Sequence, residues 1–284
     1  MSASVPTDAV APPTRRYLRR HSLTVRITHW LNVLCLSCLL LSGLQIFNAH
    51  PRLYWGKFGA DPDHAFLSIG STSTGNELHG YLQLGSLRIE TTGVLGVSGE
   101  DGTPTARAFP TWLTVPSYHD LGAGRHWHFF FAWLLVTNGL VYLVHGVLRR
   151  HFRRDLLPDR DQLAPRHLWR EIRDHARLRF AHGAEARRYN ALQKISYLAV
   201  IFVLIPLMVL TGLTMSPGLD AAFPFLPGLF GGRPSARSLH FITATLLVAF
   251  VVVHVVMVLV SGVWNNLRSM VTGRYAIDDE GTES

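Results

Sequence analysis

His240 and His254 lie fourteen residues apart in the stretch RSLHFITATLLVAFVVVH, whose other members are nearly all apolar. An imidazole is costly to keep in so apolar a segment and usually marks chemistry. On a helix, fourteen residues turn about 1400°, within roughly 40° of a whole number of turns, and rise about 21 Å. The two rings therefore share one face at two depths. That geometry suits two flat redox cofactors stacked along a helix, one near each surface of a membrane.

The elements that must position these rings follow from composition. The chain has 284 residues, 48% hydrophobic and only 16% charged, too apolar for an ordinary soluble domain. Its apolar residues concentrate in four blocks, 25–47, 126–148, 191–215 and 239–263. Each is long enough to cross a hydrocarbon layer of about 30 Å as a helix. The expected fold is an all-α membrane protein, a four-transmembrane-helix bundle with a long outer loop, 48–124, between helices 1 and 2. The first block follows Arg15, Arg16, Arg19 and Arg20 as a secretory signal would, but LQIFNAHP offers no small-residue cleavage pattern, so it reads as a retained span.

Basic residues orient the bundle. Arginines precede span one, twelve of them against six acids fill 149–188, and Arg268 and Arg274 follow span four. Both termini and the loop 149–190 are therefore expected in the cytoplasm. The net charge of +8 is accounted for by this topology and calls for no nucleic-acid partner. The membrane domain is expected over 21–275, between a disordered N-terminus, 1–20, and a polar tail, 276–284. In the outer loop, YLQLGSLRIETTGVLGV has the partial alternation and turn residues of a small hairpin. Seventy-odd residues exceed a mere connector, so a structured cap, a docking surface or a variable insertion is expected there. Cys35 and Cys38 form a C-x-x-C with no histidine after it, and inside a span they read as packing residues.

Histidines in or at the ends of spans are His29, His126, His128, His145, His240 and His254. Two haems held by histidines alone need four ligands, so each depth of span four requires a partner from another helix. Span one enters from the cytoplasm and puts His29 level with His254. Span two enters from the other side and puts His128 level with His240. Arg26, Arg125 and Arg237 each precede one of these histidines by three residues, in RITH, RHWH and RSLH. There they could pair with haem propionates or anchor in lipid headgroups. His145 lies about 100° off the His128 face and is the alternative to His29; His126, beside Trp127, reads as interfacial.

No Asp or Glu lies in the four spans, which weighs against a histidine-lined metal transporter, and no nucleotide or hydrolase motif is present. Two protein ligands per iron leave no open position, which favours electron transfer over oxygen activation.

The chain resembles bacterial di-haem cytochromes b of the b561 type, such as the cytochrome b subunits of nickel-iron hydrogenase, formate dehydrogenase and thiosulfate reductase. The resemblance rests on RITHW, RHWHFFF, the His240 and His254 pair and the following NNLRSMVTGRY, and covers residues 17–275 apart from the long loop. It implies two haem b groups on His29, His128, His240 and His254. It also implies a respiratory-chain relay between membrane quinone and a periplasmic redox enzyme, often a molybdopterin oxidoreductase. The alternative is a self-contained quinone-linked reductase or oxidase of a small species such as superoxide. The long outer loop departs from the family pattern and leaves the partner open, as the sequence leaves open a homodimer.

Overall fold

The computed structural model describes residues 15–60, 63–75, 77–99, 103–177 and 191–278. In chain order its helices are α1 Leu23–Phe47, α2 Leu121–Leu148, α3 Pro165–Ala176, α4 Ala191–Ala199, α5 Ile205–Met215, α6 Pro217–Ala222, α7 Leu226–Leu229, α8 Arg233–Val260 and α9 Val263–Thr272. Its strands are β1 Arg15–Arg19, β2 Arg52–Tyr54, β3 Ala65–Thr74, β4 Glu77–Leu84, β5 Leu87–Glu90, β6 Val97–Ser98, β7 Thr105–Ala106 and β8 Arg274–Asp278. Four helical stretches are long and apolar enough to cross a membrane: α1, α2, the run from α4 through α5, and α8. Apolar side chains such as Leu246, Val252, Val253 and Leu259 remain exposed on α8, as a lipid-facing surface requires.

Local signals set the ends of these helices. The Ser22 hydroxyl accepts from the Val25 amide and Asp120 from the Ala123 amide, so α1 and α2 begin on side-chain caps. The caps start α2 five residues before the expected block, at Leu121 instead of 126. Likewise α8 starts at Arg233 and ends at Val260, because Pro234 suits a first turn and Gly262 breaks the far end with a left-handed conformation. The third span is not uniform. A wide turn over Val200–Leu204 separates α4 from α5, just before Pro206, whose missing amide and ring cannot continue a regular ladder.

The spans pack as two helix pairs, α1 with α2 and α5 with α8. Asn138 on α2 donates to the Thr28 carbonyl at 2.8 Å and to Asn32 Oδ1 at 2.7 Å, a polar clamp inside the first pair. Cys35 is buried against Phe131 and Leu135, a packing environment. A cavity of about 2830 Å³ is lined by residues of both pairs. That is well above the roughly 300–1,000 Å³ of ordinary small-molecule sites.

One end of the bundle carries the long loop, which folds as a cap. Strands β2, β3, β4 and β5 form an antiparallel sheet in that order, and β6 pairs with β7. The expected hairpin is present as β4 and β5, with Leu84 opposite Leu87. Leu53, Ile69, Ala108 and Phe109 of the cap close over Phe47 of α1, with Phe241 of α8 packed alongside. Polar latches tie cap to bundle. Asn48 exchanges two hydrogen bonds with the Phe109 backbone, and Ser238 donates to the Tyr54 carbonyl at 2.6 Å. Gly96, at φ +80°, lies so close to the Gly70 carbonyl that a Cβ would collide with it.

At the other end β1 pairs with β8, Arg15 opposite Asp278 and Arg19 opposite Arg274. The expected disorder of 1–20 therefore does not extend over 15–19, and the polar tail begins inside a strand. A two-stranded ribbon supplies the pairing, with the Arg20 guanidinium over the Tyr275 ring and Arg268 over Tyr17. Residues 1–14 and 279–284 lie outside the described residues.

Candidate functional site

Each histidine pair bridges the two helix pairs across the cavity. At the end under the cap, His128 of α2 faces His240 of α8 with ring centres 6.3 Å apart and planes tilted by 58°. At the end of the chain termini, His29 of α1 faces His254 of α8 at 6.4 Å and the same 58°. The fourteen-residue step along α8 separates the levels by about 21 Å.

The cap-end rings are held from behind. Ser42 Oγ lies 3.1 Å from His128 Nδ1, and Thr211 Oγ1 lies 2.9 Å from His240 Nδ1. Gly43 and Gly212 follow these residues, and a Cβ on either would come within about 3.5 Å of the neighbouring imidazole edge. The terminal-end rings are packed by other rings instead. His254 stacks on Phe250 at 5.9 Å and meets Tyr197 edge-on, while His29 meets Trp30 edge-on at 5.3 Å. His29 Nδ1 is buried with no hydrogen-bond partner among the described residues.

This geometry fits haem iron. A metal bonded to one nitrogen of each ring at about 2 Å, with roughly 1.1 Å from that nitrogen to the ring centre, sets the centres about 6 Å apart. Both pairs meet that condition, and the cavity between them has room for flat macrocycles at two levels. Held by these histidines, haem would supply one-electron exchange at each level.

The remaining sequence candidates have mixed placements. Arg125 and Arg237 line the cavity near the cap end, Arg125 over the Phe129 ring and Arg237 over Phe47 while donating to the His50 carbonyl. Arg26 is not on the cavity wall. Its guanidinium donates to the Val271 carbonyl on α9, and its Nε is buried with no hydrogen-bond partner among the described residues. Arg20, one of the arginines that precede the first span, lines the cavity there instead. His145 lies at Ser22, 3.5 Å from its hydroxyl, and His126 is exposed.

Other residues were missed altogether. Arg52, Lys57 and Arg233 join the cationic wall at the cap end. His50 there is pushed below its ordinary pKa by burial, then by Arg237 and Arg52. At the terminal end His21 is lowered to about 4, first by burial and then by Arg20, His29, His151 and Arg26. No glutamate or aspartate announced these groups in sequence. Ser42 and Thr211 carried one weak signal, a hydroxyl followed by glycine in two different spans. Among the described residues, no group of three or more His, Cys, Asp or Glu is placed to hold a bare metal ion.

The family described as prokaryotic cytochrome b561 matches residues 20–273. A protein of Azospira oryzae named putative protein-methionine-sulfoxide reductase subunit YedZ1 is 29% identical over 238 residues, 84% of this chain and 89% of that protein. No solved structure matches the chain.

Proposed function

The chain belongs to the prokaryotic cytochrome b561 family, and from that premise we propose that it binds two b haems and relays electrons between membrane quinone and a periplasmic oxidoreductase. It is a multi-pass b-type cytochrome of the membrane. The observation that carries the di-haem reading is the matched pair of histidine contacts, 6.3 and 6.4 Å at the same tilt, at two levels of one helix. Haem b supplies one-electron exchange when bound.

The protein's own residues do the rest. His128 with His240, and His29 with His254, hold the two groups about 21 Å apart along α8. Arg125 and Arg237 at the cap end, and Arg20 at the terminal end, line the cavity and offer donors to propionate carboxylates. The apolar helix faces exclude water between the levels.

The periplasmic side is assigned to the cap, and the cytoplasmic side of the inner membrane to the termini and the arginine-rich segment 149–190. The folded cap, latched over the cap-end pair, is then the docking face for the soluble partner. The name of the Azospira oryzae relative supports a reductase acting on a sulfoxide, and the family resemblance supports a molybdopterin enzyme. Quinol is assigned to the terminal end, where Arg20, His21, His151 and Glu171 make a polar mouth to the cavity. A second haem level is useful when quinone and partner react at opposite ends.

A pyridine haemochrome assay on the purified protein tests the central claim, with two b haems per chain expected. His128→Ala and His240→Ala should each lose the same haem and spare the other. No haem, a single haem in the wild type, or loss of different haems in the two variants overturns the assignment.

A further inference from the structure

The cap-end ligands share a feature that neither the family match nor the relative's name assigns. Ser42 on α1 donates its single hydroxyl proton to the Cys38 carbonyl at 2.6 Å, and Thr211 on α5 donates to the Leu207 carbonyl at 2.6 Å. A hydroxyl has one hydrogen, so each oxygen can meet its histidine only with a lone pair. The imidazole nitrogen facing it must then carry the proton. A second carbonyl agrees: the same hydroxyls lie 3.3 Å from the Leu39 carbonyl and 3.2 Å from the Met208 carbonyl, so each hydroxyl proton has two acceptors on its own helix. Leu39 and Met208 each stand three residues before the hydroxyl residue, so the two helices repeat one device.

Resting on the di-haem reading above, we propose that Ser42 and Thr211 are positioning residues that lock His128 and His240 as Nδ1–H tautomers and tune the cap-end haem through them. With the proton fixed on Nδ1, the Nε2 lone pair is directed to the iron. The chain from Nδ1–H to hydroxyl to backbone carbonyl polarises along its length. It draws the Nδ1 proton toward oxygen, makes the imidazole a stronger electron donor and stabilises the oxidised iron. His29 Nδ1 has no such partner among the described residues, and His254 is flanked by the Phe250 and Tyr197 rings. The cap-end haem is therefore set to a lower potential than its ligands alone would give, and the terminal-end haem is not.

The test is potentiometric titration of the detergent-solubilised holoprotein, read by visible and low-temperature EPR spectra, in Ser42→Ala and Thr211→Val. One of the two midpoint potentials should rise. Poised at the wild-type midpoint, the oxidised-to-reduced ratio of that haem should fall several-fold, and its low-spin ferric EPR signal should shift as the ring is freed. The other midpoint should stay fixed. Ser42→Thr and Thr211→Ser, which keep the hydroxyl, should retain both wild-type values. Two loaded haems with unmoved potentials and spectra in both variants, or equal movement of both haems, overturns the proposal. Should Ser42→Ala fail to load its haem, Ser42→Cys keeps the volume with a weaker acceptor, and unchanged midpoints in that variant overturn it equally. A wild-type protein with fewer than two haems sinks the di-haem reading itself, which the haemochrome assay reads separately.

Discussion

The two ends of the cavity carry matching pairs of histidines and opposite kinds of support. At the cap end, hydroxyls on neighbouring helices grip both rings, and a folded sheet closes over them with its own apolar core. At the terminal end the rings lean on Phe250, Tyr197 and Trp30, which exclude water without fixing a proton. Hydrogen bonds specify orientation and tautomer, whereas aromatic packing leaves both adjustable. A rigid site suits repeated exchange with one docked protein. A looser site, opening on a polar mouth, suits a small diffusing partner that must enter, lose protons and leave.

The largest expected effect would break this comparison outright. His29→Ala, in a preparation that retains the cap-end haem, should abolish quinol-driven reduction of that haem while a soluble chemical reductant still reduces it. The two measurements are stopped-flow traces at the haem absorption band. Quinol reduction at an undiminished rate would place the quinone at the cap end and reverse the roles of the two sites.

The four spans and the depth of their histidines were legible in sequence, because membrane length and helix pitch act through consecutive residues. The spacing of His240 and His254 led to the ring pairs that the structure brings together. What stayed hidden depends on azimuth and on distant pairing. Ser42 and Thr211 read as ordinary hydroxyls bonded to their own helix, which they are, and nothing local says that their second lone pair meets a ring on the next helix. Strands β1 and β8 join opposite ends of the chain, and β2 finds β3 across an intervening loop. Arg26 seemed equivalent to Arg237 by spacing, but α9 packs against the start of α1 and takes its guanidinium.

A smaller effect sharpens the contrast at the cap. Leu53 is 1% exposed at the centre of the cap core, whereas Leu87 on β5 is 58% exposed. Leu53→Ala should destabilise the cap by about 2–5 kcal/mol. Leu87→Ala should stay within about 0.5 kcal/mol of wild type. Amide exchange in β2, β3 and β4 should report the difference, with the terminal-end haem spectrum unaltered. Equal exchange in the two variants would mean that the latches at Asn48 and Ser238, not the apolar core, hold the cap down.

The smallest effect belongs to pH at the terminal end. His21 has its pKa lowered from 6.5 to about 4, by burial first and then by Arg20, His29, His151 and Arg26. Above pH 6.5 it is neutral whether the segment is docked or released, so it costs nothing there. As pH falls below 6.5 the released form takes up a proton that the docked form refuses until about 4, so stability is lost across that window. The Arg20 amide donates to the Gly273 carbonyl at 2.8 Å, which ties this histidine to the join between β1 and β8. Exchange of the β1 and β8 amides, corrected for intrinsic rates, should therefore accelerate modestly between pH 7 and pH 5. Because the side chain is only partly buried, solvent screening holds the change to a fraction of what full burial would give. His21→Gln, which cannot charge, should flatten the response, while β2 to β5 at the other end keep their wild-type profile. Identical acid profiles in wild type and His21→Gln would assign the sensitivity to another group and remove His21 from the contrast between the two ends.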